Sequence, residues 1–284
     1  MIGQVGVLGA GTMGNGIAHV FAQYGYEVIL YDIAAAQLER AEATIRQNLE
    51  RQAKKGNIAE SLVPETLGRL RTTRNMNDLA QVDIAVEAVS EHEALKLEIF
   101  RQLDGIVKSG SILATNTSSI PITKIAAVTG RPDKVIGMHF MNPVPIMKFV
   151  EIIRGHATSD ETFFATAGMV SRLEKEMAVS HDYPGFIVNR ILMPMINEAI
   201  FALYEGIATA EDIDQGMKLG TNQPMGPLTL ADFIGLDTCL AVISVLYDGF
   251  KDPKYRPCPL LVKMVHAGHL GRKSGRGFYT YQEA

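Results

Sequence analysis

Short apolar runs recur through the first half of the chain, each broken by a polar or glycine-bearing stretch: QVGVLG, EVILYD, DIAVEAV, SILATN and KVIGMHF. Runs of this length, rich in Val, Ile and Leu, suit strands covered on both faces. Between the second and third, residues 34–55 are rich in Ala, Gln, Glu, Arg and Leu, the composition of a long exposed helix, and Gly56 suits its C-terminal cap. Strand and helix patterns that alternate in this way predict an α/β domain with a doubly wound parallel sheet. A further apolar run, FVEIIR, follows KVIGMHF across the proline-bearing linker MNPVPIMK.

The pattern changes near Tyr183-Pro184-Gly185. Beyond it no convincing strand appears before the tail GFYTYQ, while helical spacing covers Gly185 to about Glu205, Ala210 to Leu219, Leu228 to about Tyr247 and Pro259 to His266. Two domains are therefore expected, residues 1–184 and an all-helical C-terminal domain of residues 185–284. Several of these helices are apolar on more than one face, which points to a homodimer formed through the helical domain.

Composition narrows the classes. A chain of 284 residues that is 47% hydrophobic can fill two cores. With 27 basic and 31 acidic side chains its net charge is -4, which argues against general binding to nucleic acid or to an anionic membrane. The longest apolar segment, Phe186 to Tyr204, carries Asn189, Arg190, Asn197 and Glu198 and would make a poor membrane span. Cys239 and Cys258 are too few for a disulfide framework or a zinc site, so no metal is expected. The first residues enter a strand at once, and the expected location is the cytoplasm.

The chemistry begins at Gly9-Ala10-Gly11-Thr12-Met13-Gly14, between the strand QVGVL and the helix NGIAHVFAQYGY. Glycines at this spacing allow a tight turn, close approach of a pyrophosphate to backbone N–H groups, and close packing of helix on strand, the Rossmann-type arrangement. Asp32 ends the second strand, where a carboxylate can accept hydrogen bonds from an adenosine ribose and would repel a 2′-phosphate. NAD(H) is thus expected over NADP(H).

His139 and Glu151 fall on the paired runs KVIGMHF and FVEIIR. An imidazole can take a hydroxyl proton near neutral pH, and a carboxylate behind it fixes the tautomer and stabilises the imidazolium. A lone histidine on an apolar strand is usually structural, but the paired carboxylate sets His139 apart; His19, His92, His156, His181, His266 and His269 lack such a setting and are expected to be structural or solvated. Ser118 follows the strand SILATN at the carboxyl end, where open α/β sheets place ligands, and Ser119 is the better candidate to cap the next helix. Asn189 is a polar amide in an apolar helical run. Arg51, Lys54 and Lys55 lie at i, i+3 and i+4 and could receive phosphates.

With these residues read, the chain resembles the 3-hydroxyacyl-CoA dehydrogenase family, and within it the short bacterial 3-hydroxybutyryl-CoA dehydrogenases. The motifs that carry the resemblance are LGAGTMGNGIA, VEAVSEHEALKLEIF, TNTSSIPI, GMHFMNPVPIMKFVEII, DYPGFIVNRILMPMINEAI and MKLGTNQPMGPLTLADFIGLD. The resemblance implies interconversion of an (S)-3-hydroxyacyl-CoA and a 3-ketoacyl-CoA with NAD(H), in fatty-acid or butanoate metabolism, with substrate in the cleft between the domains. It makes His139 the general acid/base with Glu151 as partner, and has Ser118 and Asn189 contact the substrate oxygens. On the cofactor side it points to Glu91, Lys96, Asn116, Ser118, Asn142 and Lys273, beside Gly9, Gly11, Thr12, Met13, Gly14 and Asp32. Lys55 matches the lysine near the coenzyme A phosphate, supported by Lys54 and Arg51, and Asn48 stands where some relatives have serine. Two alternatives stay open: a non-catalytic NAD(H)-binding protein of the lambda-crystallin kind, and a 3-hydroxyacid dehydrogenase that does not use CoA.

Overall fold

A computed structural model describes residues 2–281, and contacts divide the chain between Tyr183 and Pro184 into two units. In the first unit the elements run β1 (Gln4–Leu8), α1 (Thr12–Gln23), β2 (Glu27–Tyr31), α2 (Ala35–Lys54), α3 (Leu62–Gly68), β3 (Leu70–Thr73), β4 (Ile84–Glu87), α4 (Glu93–Ile106), β5 (Ile112–Thr115), α5 (Ile122–Ala126), β6 (Val135–Phe140), β7 (Phe149–Arg154), α6 (Asp160–Arg172) and β8 (Glu176–His181). The strands form one sheet in the order β3-β2-β1-β4-β5-β6-β7-β8. All neighbours are parallel except β6 and β7, which the short proline-bearing linker forces antiparallel. The strand order reverses between β1 and β4, and an open sheet of this kind binds its ligand outside the carboxyl ends at that point.

The central strands β4, β5 and β6 are buried along their whole length, because helices cover both faces. Ile17, Val20 and Phe21 of α1 pack with Val5, Val7, Ile84 and Val86 in one core. Helix α2 buries only Leu38, Ala41, Ile45 and Leu49, a narrow apolar stripe at helical spacing. It ends where Gly56 takes φ +72°, as the sequence predicted.

Two strands were not expected. β3 and β8 are the outermost members of the sheet, and their patterns of half-exposed residues lack the apolar run that marked the inner strands. Ser119 also departs from expectation, since it does not cap α5. The helix is entered through Pro121 without a side-chain cap there, and its Ile122 and Thr123 amides donate to the two Asp182 carboxylate oxygens at 2.9 and 2.7 Å.

The second unit holds α7 (Val188–Tyr204), α8 (Ala210–Gly220), α9 (Pro227–Ile234), α10 (Leu236–Phe250) and α11 (Pro259–His266). Met193, Ile196 and Ile200 of α7 meet Leu228, Leu236, Ile243 and Leu261 in its core. The run from Leu228 to Tyr247, expected as one helix, is two. Gly235 at φ +102° separates them, and their axes bend by 100°. Residues 277–281, the described part of the tail GFYTYQ, are not a strand either, since only isolated bridges involve Arg276 and Thr280. Buried Asp232 anchors it by accepting from the Phe278 and Tyr279 amides, at 3.0 Å each, and from the Tyr281 hydroxyl at 2.9 Å. Asn197, polar within α7, is used inside the unit: its amide donates to Arg256 O and its oxygen accepts from Cys258 N, both at 2.9 Å. Cys239 and Cys258 are buried free thiols, and burial pushes Cys239 up to about 12. Among the described residues no single helix is long and apolar enough to cross a membrane.

Candidate active site

The glycine loop joins β1 to α1 at the carboxyl edge of the sheet. Gly9 has φ +95°, and a Cβ there would lie 2.7 Å from the Ala88 carbonyl oxygen, so only glycine fits between neighbouring chain segments. A Cβ on Gly14 would overlap the Gly9 carbonyl, whereas Gly11 has nothing within 4 Å of that position. Gly11 caps α1 without a side-chain hydrogen bond, so the positive end of the helix faces the loop through backbone alone. These features suit the pyrophosphate of a dinucleotide. Thr12, Asn142, Pro143 and Asn48 line a cavity of ≈410 Å³ beside Gly11, while Met13 packs against the core.

Asp32 stands at the end of β2. Its carboxylate accepts from Ala10 N at 2.8 Å and from Ala34 N at 2.9 Å, so both the glycine loop and the start of α2 hold it in place. With Gly9, Ile33, Met76, Val89 and Leu95 it lines a second cavity of ≈520 Å³. An apolar slot with a carboxylate at its rim matches the adenosine half of NAD.

On the far side of the strand-order reversal lies a charged network. Glu87, fully buried at the end of β4, receives the Lys96 ammonium at 2.6 Å, Val89 N at 2.8 Å and the Thr115 hydroxyl at 2.8 Å. Lys96 is itself 1% exposed, and its remaining N–H donors reach Glu91 at 3.2 Å and Val89 O at 3.3 Å. Glu91 Oε1 accepts from the amides of Ser118 and Ser119 at 3.0 and 3.1 Å, from the Ser119 hydroxyl at 2.7 Å and from the Thr117 hydroxyl. Burial would raise the Glu91 carboxyl, but Lys96 and these donors outweigh it and hold the group below its usual range. One carboxylate therefore holds Thr117, Ser118 and Ser119 of this turn together. Asn116 ties the turn to the next strand by accepting from Phe140 N at 2.8 Å.

His139 and Glu151 are direct cross-strand partners in the β6–β7 pair, so their side chains emerge on the same face. Glu151 is fully buried and His139 is 8% exposed. His139 Nδ1 and Glu151 Oε2 are 3.0 Å apart. A carboxylate at that distance makes Nδ1 the protonated nitrogen and leaves Nε2 as the basic one.

Asn48, Arg51 and Lys55 line a third cavity of ≈450 Å³ together with Gln52, Asn57, Pro143, Pro145 and Ile146. Lys54 is not among the residues that line this cavity. Gln52 and the linker prolines Pro143 and Pro145 were not among the site residues expected from the sequence. Lys175 is another residue without a motif: its half-buried ammonium donates to Val144 O at 2.8 Å and Met147 O at 2.6 Å, fixing the linker that walls two cavities. Asn189, half-buried in the first turn of α7, and Lys273, paired with Asp237, belong to the second unit.

Residues 4–183 match the 3-hydroxyacyl-CoA dehydrogenase NAD binding domain, and residues 185–281 match the C-terminal domain of that family. The chain is 55% identical to a 3-hydroxybutyryl-CoA dehydrogenase of Bradyrhizobium diazoefficiens, over 100% of this chain and 97% of that one. It is 40% identical to the human mitochondrial hydroxyacyl-coenzyme A dehydrogenase, over 99% of this chain and 92% of that one. Its structure is similar to the crystal structure of (S)-3-hydroxybutyryl-CoA dehydrogenase from Ralstonia eutropha, with a TM-score of 0.98 and 52% identity over 100% of both chains.

Proposed function

The chain belongs to the 3-hydroxyacyl-CoA dehydrogenase family, and on that premise we propose that His139 is its general acid/base, with Glu151 as the group that orients it. The protein is an NAD-dependent oxidoreductase that interconverts (S)-3-hydroxybutyryl-CoA and acetoacetyl-CoA. The observation that carries the residue assignment is the 3.0 Å contact between His139 Nδ1 and the buried Glu151 carboxylate.

The nicotinamide, when bound, takes or gives the hydride. Around it, His139 Nε2 removes the hydroxyl proton during oxidation and returns it during reduction. Glu151 offsets the imidazolium charge that develops, at no cost in reorientation because it is already in place. The Ser118 hydroxyl and the Asn189 amide hydrogen-bond the substrate oxygens, and the shape of the Ser118 turn is set by Glu91. Asp32 holds the ribose and disfavours a 2′-phosphate. Arg51, Lys55 and Asn48 meet the phosphates of coenzyme A, an assignment supported by their common cavity. We assign the working form as a homodimer through the helical unit, where Ile191, Ile207 and Leu219 are exposed. We place it in the cytoplasm, where bacterial CoA and NAD(H) pools reside.

Acetoacetyl-CoA and NADH, followed by loss of absorbance, test the activity and separate it from a purely structural NAD(H)-binding protein. Acetoacetate in place of its CoA ester should turn over poorly. A rate with NADPH that exceeds the rate with NADH would overturn the role of Asp32.

A further inference from the structure

The strand-order reversal divides the dinucleotide. The adenosine half belongs with Asp32 at the end of β2, so the nicotinamide half crosses to the ends of β4 and β5. The groups at those ends are Glu87, Lys96 and Glu91, and their charges do not cancel. Glu87 is fully buried and takes the Lys96 ammonium at 2.6 Å, the shorter of the two contacts that the lysine makes with carboxylates; Glu91 is held at 3.2 Å. Two carboxylates share one ammonium, which leaves a net charge of about −1. This surplus sits at Glu91, whose side chain is 37% exposed and whose Oε1 lies directly under Ser118 and Ser119.

Burying Glu87 against a lysine that also serves Glu91 is costly, and Glu87 does more than pair with Lys96. Were a neutral bracket enough for the serine turn, Lys96 and Glu91 alone would supply it. Glu87 instead consumes the lysine's charge and restores a negative field at the turn.

We infer that the Glu87–Lys96–Glu91 cluster biases the nucleotide site toward the oxidised cofactor, its surplus negative charge favouring the cationic nicotinamide of NAD⁺ over the neutral ring of NADH. The inference rests on the cofactor and Ser118 placement proposed above. Hydride delivery to the ring adds two electrons and a proton and removes its positive charge, so a nearby anion stabilises one side of that couple only. A unit charge within about 10 Å of the ring in a half-buried site is worth a factor of about ten. For a two-electron couple that factor is a shift of about 30 mV in the bound cofactor. Glu87 thereby becomes a positioning residue that acts through Lys96 and Glu91.

The test is the ratio of dissociation constants, Kd(NAD⁺)/Kd(NADH), measured on the full chain by calorimetry for NAD⁺ and fluorescence for NADH. Glu91→Gln should raise the ratio about tenfold and Glu87→Gln, whose charge is deeper, about threefold. Glu91→Asp keeps the charge and should leave the ratio within about twofold of wild type, even where both constants rise together. Equal changes in both constants for Glu91→Gln would overturn the inference, and so would a shift of the ratio in Glu91→Asp as large as in Glu91→Gln. Glu91 is partly exposed, so its variants carry the test where Glu87→Gln does not fold. Wild-type protein unable to reduce acetoacetyl-CoA would refute the proposed function, whereas an unchanged ratio in an active enzyme refutes only the charge bias.

Discussion

Protonation of one buried histidine sets an acid limit on the NAD-binding unit. His19 is fully buried on α1, with Nε2 at 3.0 Å from Gln23 Oε1 and 3.3 Å from Gln52 Nε2. Its Nδ1 is buried with no hydrogen-bond partner, so an imidazolium would bury an unpaired N–H donor. Burial lowers its pKa from 6.5 to about 4, against a smaller opposing effect of the Gln23 bond. The difference of about 2.5 units, at about 1.36 kcal/mol each, is worth about 3 kcal/mol. Because the native pKa is the lower one, the unfolded chain binds the proton more readily. Stability is intact above pH 6.5, falls by about 1.4 kcal/mol per unit below it, and the loss is complete below about pH 4. Urea unfolding of wild type and His19→Gln, followed by probes in the first unit, should show wild type losing about 2 kcal/mol relative to the variant at pH 5. NMR of labelled histidines should show the His19 ring neutral until about pH 4. A ring that titrates near 6.5, or parallel pH profiles for the two proteins, would refute the reasoning.

Lys55→Ala should raise KM for acetoacetyl-CoA by up to about fivefold, the worth of an exposed charge contact, and leave KM for NADH unchanged; equal effects on both would defeat the phosphate assignment. Lys175→Met removes two charge-assisted hydrogen bonds from the linker that lines the cavities on both sides, so KM for NADH and for the CoA substrate should each rise about tenfold while kcat falls less. A drop confined to kcat would place Lys175 in the chemistry instead.

The glycine loop was legible because each of its demands is local: strand, turn and helix are contiguous, and Gly9 and Gly14 stand where side chains would collide. The His139–Glu151 pair was legible for a related reason, since a short linker can only fold its two runs back on each other. β3 and β8 were not, because edge strands are half-exposed and lose the apolar run that identifies an inner strand. The break at Gly235 hid within an apolar stretch, as one glycine gives no measure of a bend. Glu87 and Lys175 were silent for a deeper reason. Their roles depend on partners brought together by the sheet, Lys96 and Thr115 for one and the linker carbonyls for the other, and nothing in the neighbouring residues encodes those contacts.

The claim that His139 moves the proton is tested most directly by single-turnover hydride transfer in His139→Gln, with NADH bound and acetoacetyl-CoA added. The account predicts a rate lower by about 10² to 10⁴ with the dissociation constant of NADH unchanged. A variant that transfers hydride at nearly the wild-type rate would contradict it.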